Sequence, residues 1–183
     1  MSRTAWVFLV LLVAGLLAPF VGYPIFLMKV LCFALFASAF NLLIGFTGLL
    51  SFGHAMFFGF AAYVSGHAAK VWGLTPELAI LAGTASAALM GAITGWLAVR
   101  RQGIYFAMVT LALAQMVYFI CVQAPFTYAE DGIQSIPRGA LFGVIDLSGD
   151  HTMYYLVFAV FMLGLLGIYR IIHSPFGQVL KSI

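Results

Sequence analysis

Apolar runs long enough, or nearly long enough, to cross a lipid bilayer follow one another along almost the whole of this 183-residue chain. They occupy residues 5–22, 25–44, 45–66, 78–99, 104–124 and 153–172. A membrane-spanning helix needs about 20 consecutive, mostly apolar residues. The runs therefore predict an all-α fold: a polytopic membrane bundle of about six transmembrane helices that forms a single domain over residues 1–183.

Composition excludes the main alternative, a soluble enzyme. Hydrophobic residues make up 64% of the chain and charged residues only 7%, whereas charged residues make up about 25% of a soluble domain. So few charges cannot cover a surface that faces water. The eight basic residues are scattered between apolar runs and form no basic patch of the kind that binds nucleic acid. The expected surroundings are therefore membrane lipid, and no nucleic acid partner is predicted.

Local signals mark the starts of two runs. The fourth is preceded by Thr75, a favoured N-cap residue, with Pro76 at the first helical position and Glu77 in the first turn. The third opens with glycines at positions 45, 48 and 53, which disfavour a regular helix. Residues 45–53 are therefore expected to be either a helix weakened by glycine or a broken, re-entrant segment buried in protein.

Small residues also recur every four positions in the fourth run, which places them along one face of a helix. Such a stripe lets another helix approach closely in a membrane. The predicted packing residues are Gly83, Ala87, Gly91 and Gly95.

The basic residues predict the orientation of the bundle, because cytoplasmic connections carry an excess of Lys and Arg. If the Arg-Arg turn at residues 100–101 is cytoplasmic, alternation of six spans places five of the eight basic residues inside. Both termini are then cytoplasmic and the long 125–152 connection lies outside. Glu130 and Asp131 in that connection are candidates for docking an extracytoplasmic partner.

Polar side chains within the apolar runs are the candidates for a substrate path, because an unpaired polar group in hydrocarbon costs free energy. Hydrogen bonding between neighbouring helices is the main alternative for His54 and Asn41, and Thr110 can satisfy its hydroxyl on its own helix backbone. The substrate-path candidates are Asn41, Thr47, Ser51, His54, Thr110 and Gln115.

Ser51 and His54 also raise the alternative of an intramembrane hydrolase, because residues three apart share a face of a helix. An activated serine would also need an oxyanion hole, and the GxSG pattern of rhomboid-like proteases is absent from the sequence. Cys32 and Cys121 lack the spacing of metal ligands. No catalytic or metal-binding residue is therefore predicted.

Three stretches together resemble the permeases of branched-chain amino acid ABC transporters. Residues 41–55 read NLLIGFTGLLSFGHA and lead to Ala-Ala-Tyr at 61–63, residues 101–111 read RQGIYFAMVTL, and residues 174–183 read SPFGQVLKSI. Three such segments in the order found in the family are far more specific than any one of them alone.

The resemblance implies a permease subunit of a bacterial, ATP-driven importer of leucine, isoleucine and valine in the plasma (inner) membrane. It implies four kinds of partner: a second permease subunit, two cytoplasmic ATPase subunits, an extracytoplasmic substrate-binding protein and lipid. No cofactor is expected on this chain, because the partner subunits use the ATP. Urea, short amides and aromatic acids remain alternative substrates, since nothing in the sequence identifies the ligand.

Family members continue past the position equivalent to Ile183 through a coupling helix and further spans. The resemblance therefore implies that residues 1–183 are an incomplete permease domain. Two interpretations follow: a fragment of a longer product, or a shortened subunit that only assembles with a partner permease.

Overall fold

The computed structural model of the chain describes residues 3–100, 103–143, 145–175 and 177, without the side chains of residues 3–5, 46, 47, 130 and 145. Within these residues the helices are α1 (Arg3–Val21), α2 (Pro24–Thr47), α3 (His54–Lys70), α4 (Pro76–Ala98), α5 (Ile104–Gln123) and α6 (Asp150–Ile172). Between α5 and α6 lie the 3-10 turns Pro125–Thr127 and Ala129–Asp131 and a hairpin of β1 (Ala140–Leu141) and β2 (Ile145–Asp146). The predicted all-α architecture is confirmed.

Four of these helices are long and apolar enough to cross a membrane: Pro24–Gly45 of α2, and the whole of α4, α5 and α6. The apolar part of α1, Trp6–Val21, is shorter. The 17 residues of α3 extend over about 26 Å at about 1.5 Å per residue. The hydrocarbon core of a bilayer is about 30 Å thick, so α3 alone falls slightly short of it.

The third helix begins later than the sequence predicts. Residues up to Thr47 complete α2, and α3 begins at His54 rather than at residue 45, where the predicted 45–66 run starts. Gly48 ends α2, because its N–H donates to the Ile44 carbonyl oxygen at 3.1 Å while its φ of 64° lies outside the helical region. Glycine adopts this conformation without steric cost. Of the two alternatives for this segment, residues 48–53 are therefore a break.

The start of α4 follows the prediction from its sequence. Thr75 occupies the N-cap position with an extended conformation (φ −60°, ψ 153°), and its carbonyl oxygen accepts the Ala79 N–H at 3.0 Å, but its side chain makes no capping hydrogen bond. Pro76 is the first helical residue, where its missing N–H costs nothing. The Glu77 carboxylate in the first turn accepts a hydrogen bond from the Phe142 N–H in the hairpin, a long-range contact that no local signal predicts.

Residues 1–42 and 147–183 form one compact unit. The buried side chains Tyr154, Phe158 and Phe161 of α6 make its core, with the rings of Tyr154 and Phe158 stacked 6.2 Å apart. The α1 and α2 side chains packed against this core are Ala18, Leu27, Met28, Leu31, Ala34 and Leu35. The core of this unit is therefore aromatic on α6 and aliphatic on its neighbours.

A proline in α1 explains one polar contact in this core. Pro19 lies inside the helix and has no N–H, so the Gly15 carbonyl oxygen cannot receive the usual bond from position 19. The Tyr154 hydroxyl donates to that oxygen at 2.7 Å. Membrane interiors offer no water to satisfy a freed backbone group. The bond between α6 and α1 thus replaces the one that the proline removes.

Residues 43–146 form the second compact unit, in which α3 packs against both α4 and α5. Helices α3 and α4 approach closely at Gly83: a Cβ built there would lie 2.8 Å from the Ala61 carbonyl oxygen and 3.0 Å from Ser65 Cβ. The absence of a side chain at position 83 therefore sets the separation of the two helices.

Candidate functional site

The broken segment 48–53 is held against α5 by polar contacts within the second unit. Ser51 is buried, and its Oγ accepts the Gly53 N–H at 3.3 Å. A Cβ built on Gly53 would lie 2.7 Å from the Thr110 carbonyl oxygen. The backbone of the segment therefore approaches α5 more closely than any residue with a side chain would allow.

Thr110 is the α5 residue that receives this segment. Its hydroxyl donates to the Ala107 carbonyl oxygen at 2.9 Å, one turn earlier on the same helix, and accepts the Phe52 N–H at 3.3 Å. The first bond is the self-satisfaction expected of a helical threonine. The second supplies a partner for a backbone group in an irregular segment, as a membrane interior requires.

A cavity of about 380 Å³ opens beside this contact. Its lining combines the broken segment with the first turn of α5: Gly48, Leu49, Leu50, Phe52, Gly103, Ile104 and Ala107. Small-molecule sites in proteins have volumes of about 300–1,000 Å³. The cavity thus falls at the small end of this range, and its walls are apolar side chains and glycine backbone.

The first two of the three segments that carry the family resemblance therefore meet at this cavity. Residues 48–52 belong to the first segment, and Gly103, Ile104 and Ala107 belong to the second. Residues 101 and 102 of the second segment, and residues 176 and 178–183 of the third, lie outside the described residues.

Ser51 and His54 do not share a helix, contrary to the premise of the hydrolase alternative. Ser51 lies in the broken segment, whereas His54 is the first residue of α3. The half-buried His54 ring meets the Phe57 ring edge to face, with centroids 6.0 Å apart. The Ser51 hydroxyl closes a local turn with Gly53, which is a structural use of the side chain.

The other substrate-path candidates lie apart from this contact. Gln115 is exposed on α5, and Asn41 is exposed on α2 in the first unit. Thr47 ends α2, and its side chain lies outside the described residues. Ser51 and Thr110 are thus the two candidates that the structure places against the same close backbone contact, and the role of each in transport stays a prediction.

The stripe of small residues on α4 is used unevenly within the chain. Gly83 makes the close approach to α3, whereas a Cβ built on Gly91 or Gly95 would meet no described atom within 4 Å. Ala87 is half-buried. The expected role of the whole stripe in packing stays a prediction, since within the described residues the close contact is at one end.

The start of the 125–152 connection is tied to the ends of α3 and α5. The Lys70 ammonium donates to the Gln134 carbonyl oxygen at 2.8 Å and lies 4.7 Å from the centre of the Tyr128 ring. One turn earlier on α3, His67 Nδ1 lies 2.9 Å from the Phe126 carbonyl oxygen. The sequence analysis assigned no role to these contacts. The one local feature that could have indicated them is the pair of aromatic residues, Phe126 and Tyr128, directly after the α5 span.

Thr127 completes this attachment. Its buried hydroxyl contacts the Cys121 carbonyl oxygen and lies 2.7 Å from that of Ala124, so it satisfies acceptors that the end of α5 leaves open. Asp131 is exposed, and its carbonyl oxygen accepts the Gln134 Nε2–H at 3.2 Å. The Glu130 side chain lies outside the described residues. The docking role of both acidic residues stays a prediction.

Comparison with known proteins gives a consistent result. A model of the family described as the permease component of branched-chain amino acid transport systems matches residues 22–183. Over 106 residues the chain is 33% identical to the high-affinity branched-chain amino acid transport system permease protein LivM of Salmonella typhimurium (strain LT2), and over 105 residues it is 30% identical to LivM of Escherichia coli (strain K12). No solved structure matches the chain.

Each of the two alignments covers 57% of this chain and 25% of the relative, so the matched part spans about a quarter of the length of these curated proteins. The family match, by contrast, includes both segments that line the cavity. Together with the long apolar helices, it identifies a multi-pass membrane protein that is a component of a transport system. The chain belongs to the family of permease components of branched-chain amino acid transport systems, of the LivM type.

Proposed function

We propose that this chain is part of a permease subunit of an ATP-driven importer that carries leucine, isoleucine and valine across the bacterial inner membrane. The family match over residues 22–183 is the observation that carries the proposal. In this proposal a second permease subunit completes the path. Two cytoplasmic ATPases drive the transport cycle, and an extracytoplasmic binding protein delivers the amino acid.

The chemistry of the cavity beside segment 48–53 suits such a substrate. A branched-chain amino acid combines an aliphatic side chain with two charged backbone groups. Leu49, Leu50 and Ile104 offer apolar surface to the former, and Gly48 and Gly103, which have no side chains, contribute peptide backbone to the lining that the latter can approach. Broken helices at substrate sites of other membrane transporters use exposed peptide groups in the same way. We therefore propose that this cavity lines part of the translocation path.

Substitution of Ala107 by leucine tests the cavity, because Ala107 is buried and lines it. In a strain that lacks the native subunit, the full-length permease with Ala107→Leu should reach the membrane but import labelled leucine several-fold more slowly. Ala85→Leu is the matched control, since Ala85 is exposed on α4. Normal uptake by Ala107→Leu would contradict the assignment of the cavity to the path.

The substrate is tested separately, in the wild-type protein. Excess unlabelled isoleucine and valine should compete with leucine uptake, whereas urea, short amides and aromatic acids should not. Loss of the gene with undiminished uptake of all three branched-chain amino acids would refute the substrate assignment. If the membrane contained an assembled complex that imported none of these compounds, the subunit would have an assembly role only.

Both termini are proposed to be cytoplasmic, with the 125–152 connection outside. Near the proposed inner end of α4, the Arg100 guanidinium lies 4.7 Å from the centre of the Trp96 ring. A basic residue and a tryptophan together are typical of a membrane interface. A reporter enzyme that is active only outside the cytoplasm should be active when it is inserted at Gly143. Activity there of a reporter that works only in the cytoplasm would overturn this orientation.

A further inference from the structure

The β-hairpin of the second unit exposes a large aromatic side chain at its tip. Phe142 is 78% exposed, and its φ of 51° lies in the left-handed region, which is uncommon for residues other than glycine, asparagine and aspartate. Such backbone conformations persist where the surrounding structure fixes them. The tip therefore holds a bulky apolar ring outward at a cost in free energy.

Contacts with the first turn of α4 fix this tip. The Phe142 N–H donates to the Glu77 carboxylate. The hairpin backbone also passes close to Pro76, because a Cβ built on Gly139 would lie 3.2 Å from Pro76 Cγ. Since α4 begins at Pro76 and is long and apolar enough to cross a membrane, the tip lies beside the end at which this helix would enter the membrane.

An exposed apolar face of α4 continues from this point. Leu81, Ala85 and Leu89 follow Glu77 at intervals of four residues, and Trp96 follows Leu89 by seven, so all lie on one side of the helix. Leu81, Leu89 and Trp96 are 62%, 64% and 67% exposed, and Ala85 is also exposed. This side of α4 is thus apolar from Leu81 in its second turn to Trp96 in its last, with Glu77 at its start.

The two ends of this side of α4 are separated by about the thickness of a bilayer core. From Glu77 beside the hairpin to Trp96 the helix rises by about 29 Å, of which the apolar part from Leu81 makes up about 23 Å; the hydrocarbon core is about 30 Å thick. An aromatic residue stands at each end, Phe142 at one and Trp96 at the other. Aromatic residues are enriched at the two membrane interfaces, and Arg100 beside Trp96 adds a cation at the level of the lipid headgroups.

We infer that this face of α4 contacts lipid, and that Phe142 inserts into the membrane interface opposite to that of Trp96, where it anchors the hairpin to the bilayer. The occupant of the face is lipid and not the second permease subunit. The inference concerns the surroundings of α4 and does not depend on the identity of the transported compound.

Fluorescence quenching in proteoliposomes tests this inference. The full-length permease complex would carry Phe142→Cys, in a background with Cys32→Ala and Cys121→Ala, labelled with an environment-sensitive bimane probe. Lipids brominated near the headgroup should quench a probe at position 142 several-fold more than one at Ser135→Cys, an exposed control site on the preceding loop. Aqueous iodide should show the reverse order. A probe at Leu81→Cys should respond to bromine deeper in the acyl chain.

Two results would overturn the inference. Strong iodide quenching at position 142, equal to that at Ser135→Cys, would show that the tip lies in water. Protection from both quenchers would show that a protein covers it, and the second permease would then be the favoured occupant. Because a labelled cysteine replaces a natural aromatic residue, Phe142→Trp with the same brominated lipids provides an independent measurement, which should show added quenching over the wild-type tryptophan signal.

Discussion

Removal of the Tyr154 hydroxyl probes how the first unit tolerates a proline within a membrane helix. In Tyr154→Phe the ring is retained, so its stacking on Phe158 and the packing of the core should be unchanged. The lost group is the donor that lies 2.7 Å from the Gly15 carbonyl oxygen. Because position 19 is proline, no backbone N–H at that position can take the place of the hydroxyl.

The expected cost is that of one buried acceptor left without its donor. Tyr154 is 1% exposed, so water does not readily replace the hydroxyl. The strength of hydrogen bonds between membrane helices and the cost of leaving a buried polar group unsatisfied are of similar size. We therefore expect the free energy of unfolding to fall by about 1–2 kcal/mol. This corresponds to roughly a 5- to 30-fold change in the ratio of folded to unfolded protein.

A double-mutant cycle isolates the mechanism. Pro19→Ala restores an N–H that can donate to the Gly15 carbonyl oxygen within α1, so in that background Tyr154→Phe should cost much less than in the wild type. The measurement is unfolding by a denaturing detergent in bicelles, followed by circular dichroism. Tyr155→Phe, which deletes the same hydroxyl from the neighbouring residue, is the matched control and should leave stability nearly unchanged.

Two results would refute this reasoning. One is an equal cost of Tyr154→Phe with proline or alanine at position 19, which would show that the proline does not create the need for the bond. The other is no cost in the wild-type background, which would show that the Gly15 carbonyl oxygen finds another donor in the membrane.

Two further substitutions test close contacts in the second unit. Gly83→Ala should destabilise the protein by about 1–3 kcal/mol, because its Cβ would lie 2.8 Å from the Ala61 carbonyl oxygen. In the same unfolding assay Gly91→Ala should be neutral or slightly stabilising, because the space around its Cβ is open. Equal effects of the two substitutions would contradict the close approach of α3 and α4 at Gly83. Thr110→Val should cost about 1–3 kcal/mol by leaving the Phe52 N–H without its partner, whereas Thr110→Ser should retain most of the stability; a serine variant as unstable as the valine variant would argue against the hydrogen bond.

The sequence was sufficient for the features that depend on local chemistry. Apolar length predicted the helices, of which four among the described residues are long and apolar enough to cross a membrane, and Thr75 with Pro76 located the start of α4. The glycines of residues 45–53 indicated either a weakened helix or a broken segment. They did not indicate where a break would begin, because that depends on which glycine adopts a positive φ. In the structure that glycine is Gly48, with a φ of 64°, and Gly53 at the other end of the segment lies against α5.

Contacts between distant parts of the chain could not be predicted in the same way. The Thr110 hydroxyl can donate to a carbonyl oxygen of its own helix, so no further partner was needed. Nothing in the local sequence therefore indicated that this oxygen also accepts the N–H of Phe52, 58 positions away. Glu77 fitted the first turn of a helix on electrostatic grounds alone, and its bond with Phe142 arises from the fold of the hairpin. To predict either of these hydrogen bonds, one must already know which elements of the fold become neighbours.

The limited length of α3 has a consequence for the kind of membrane in which this protein works best. A helix of 17 residues matches a thin bilayer more closely than a thick one, whereas its neighbours α4 and α5 have 23 and 20 residues. Hydrophobic mismatch of a few ångströms is relieved by tilt or by local thinning of the lipid, at a modest cost per ångström. Thickening of the bilayer should therefore strain this helix before its longer neighbours α4 and α5.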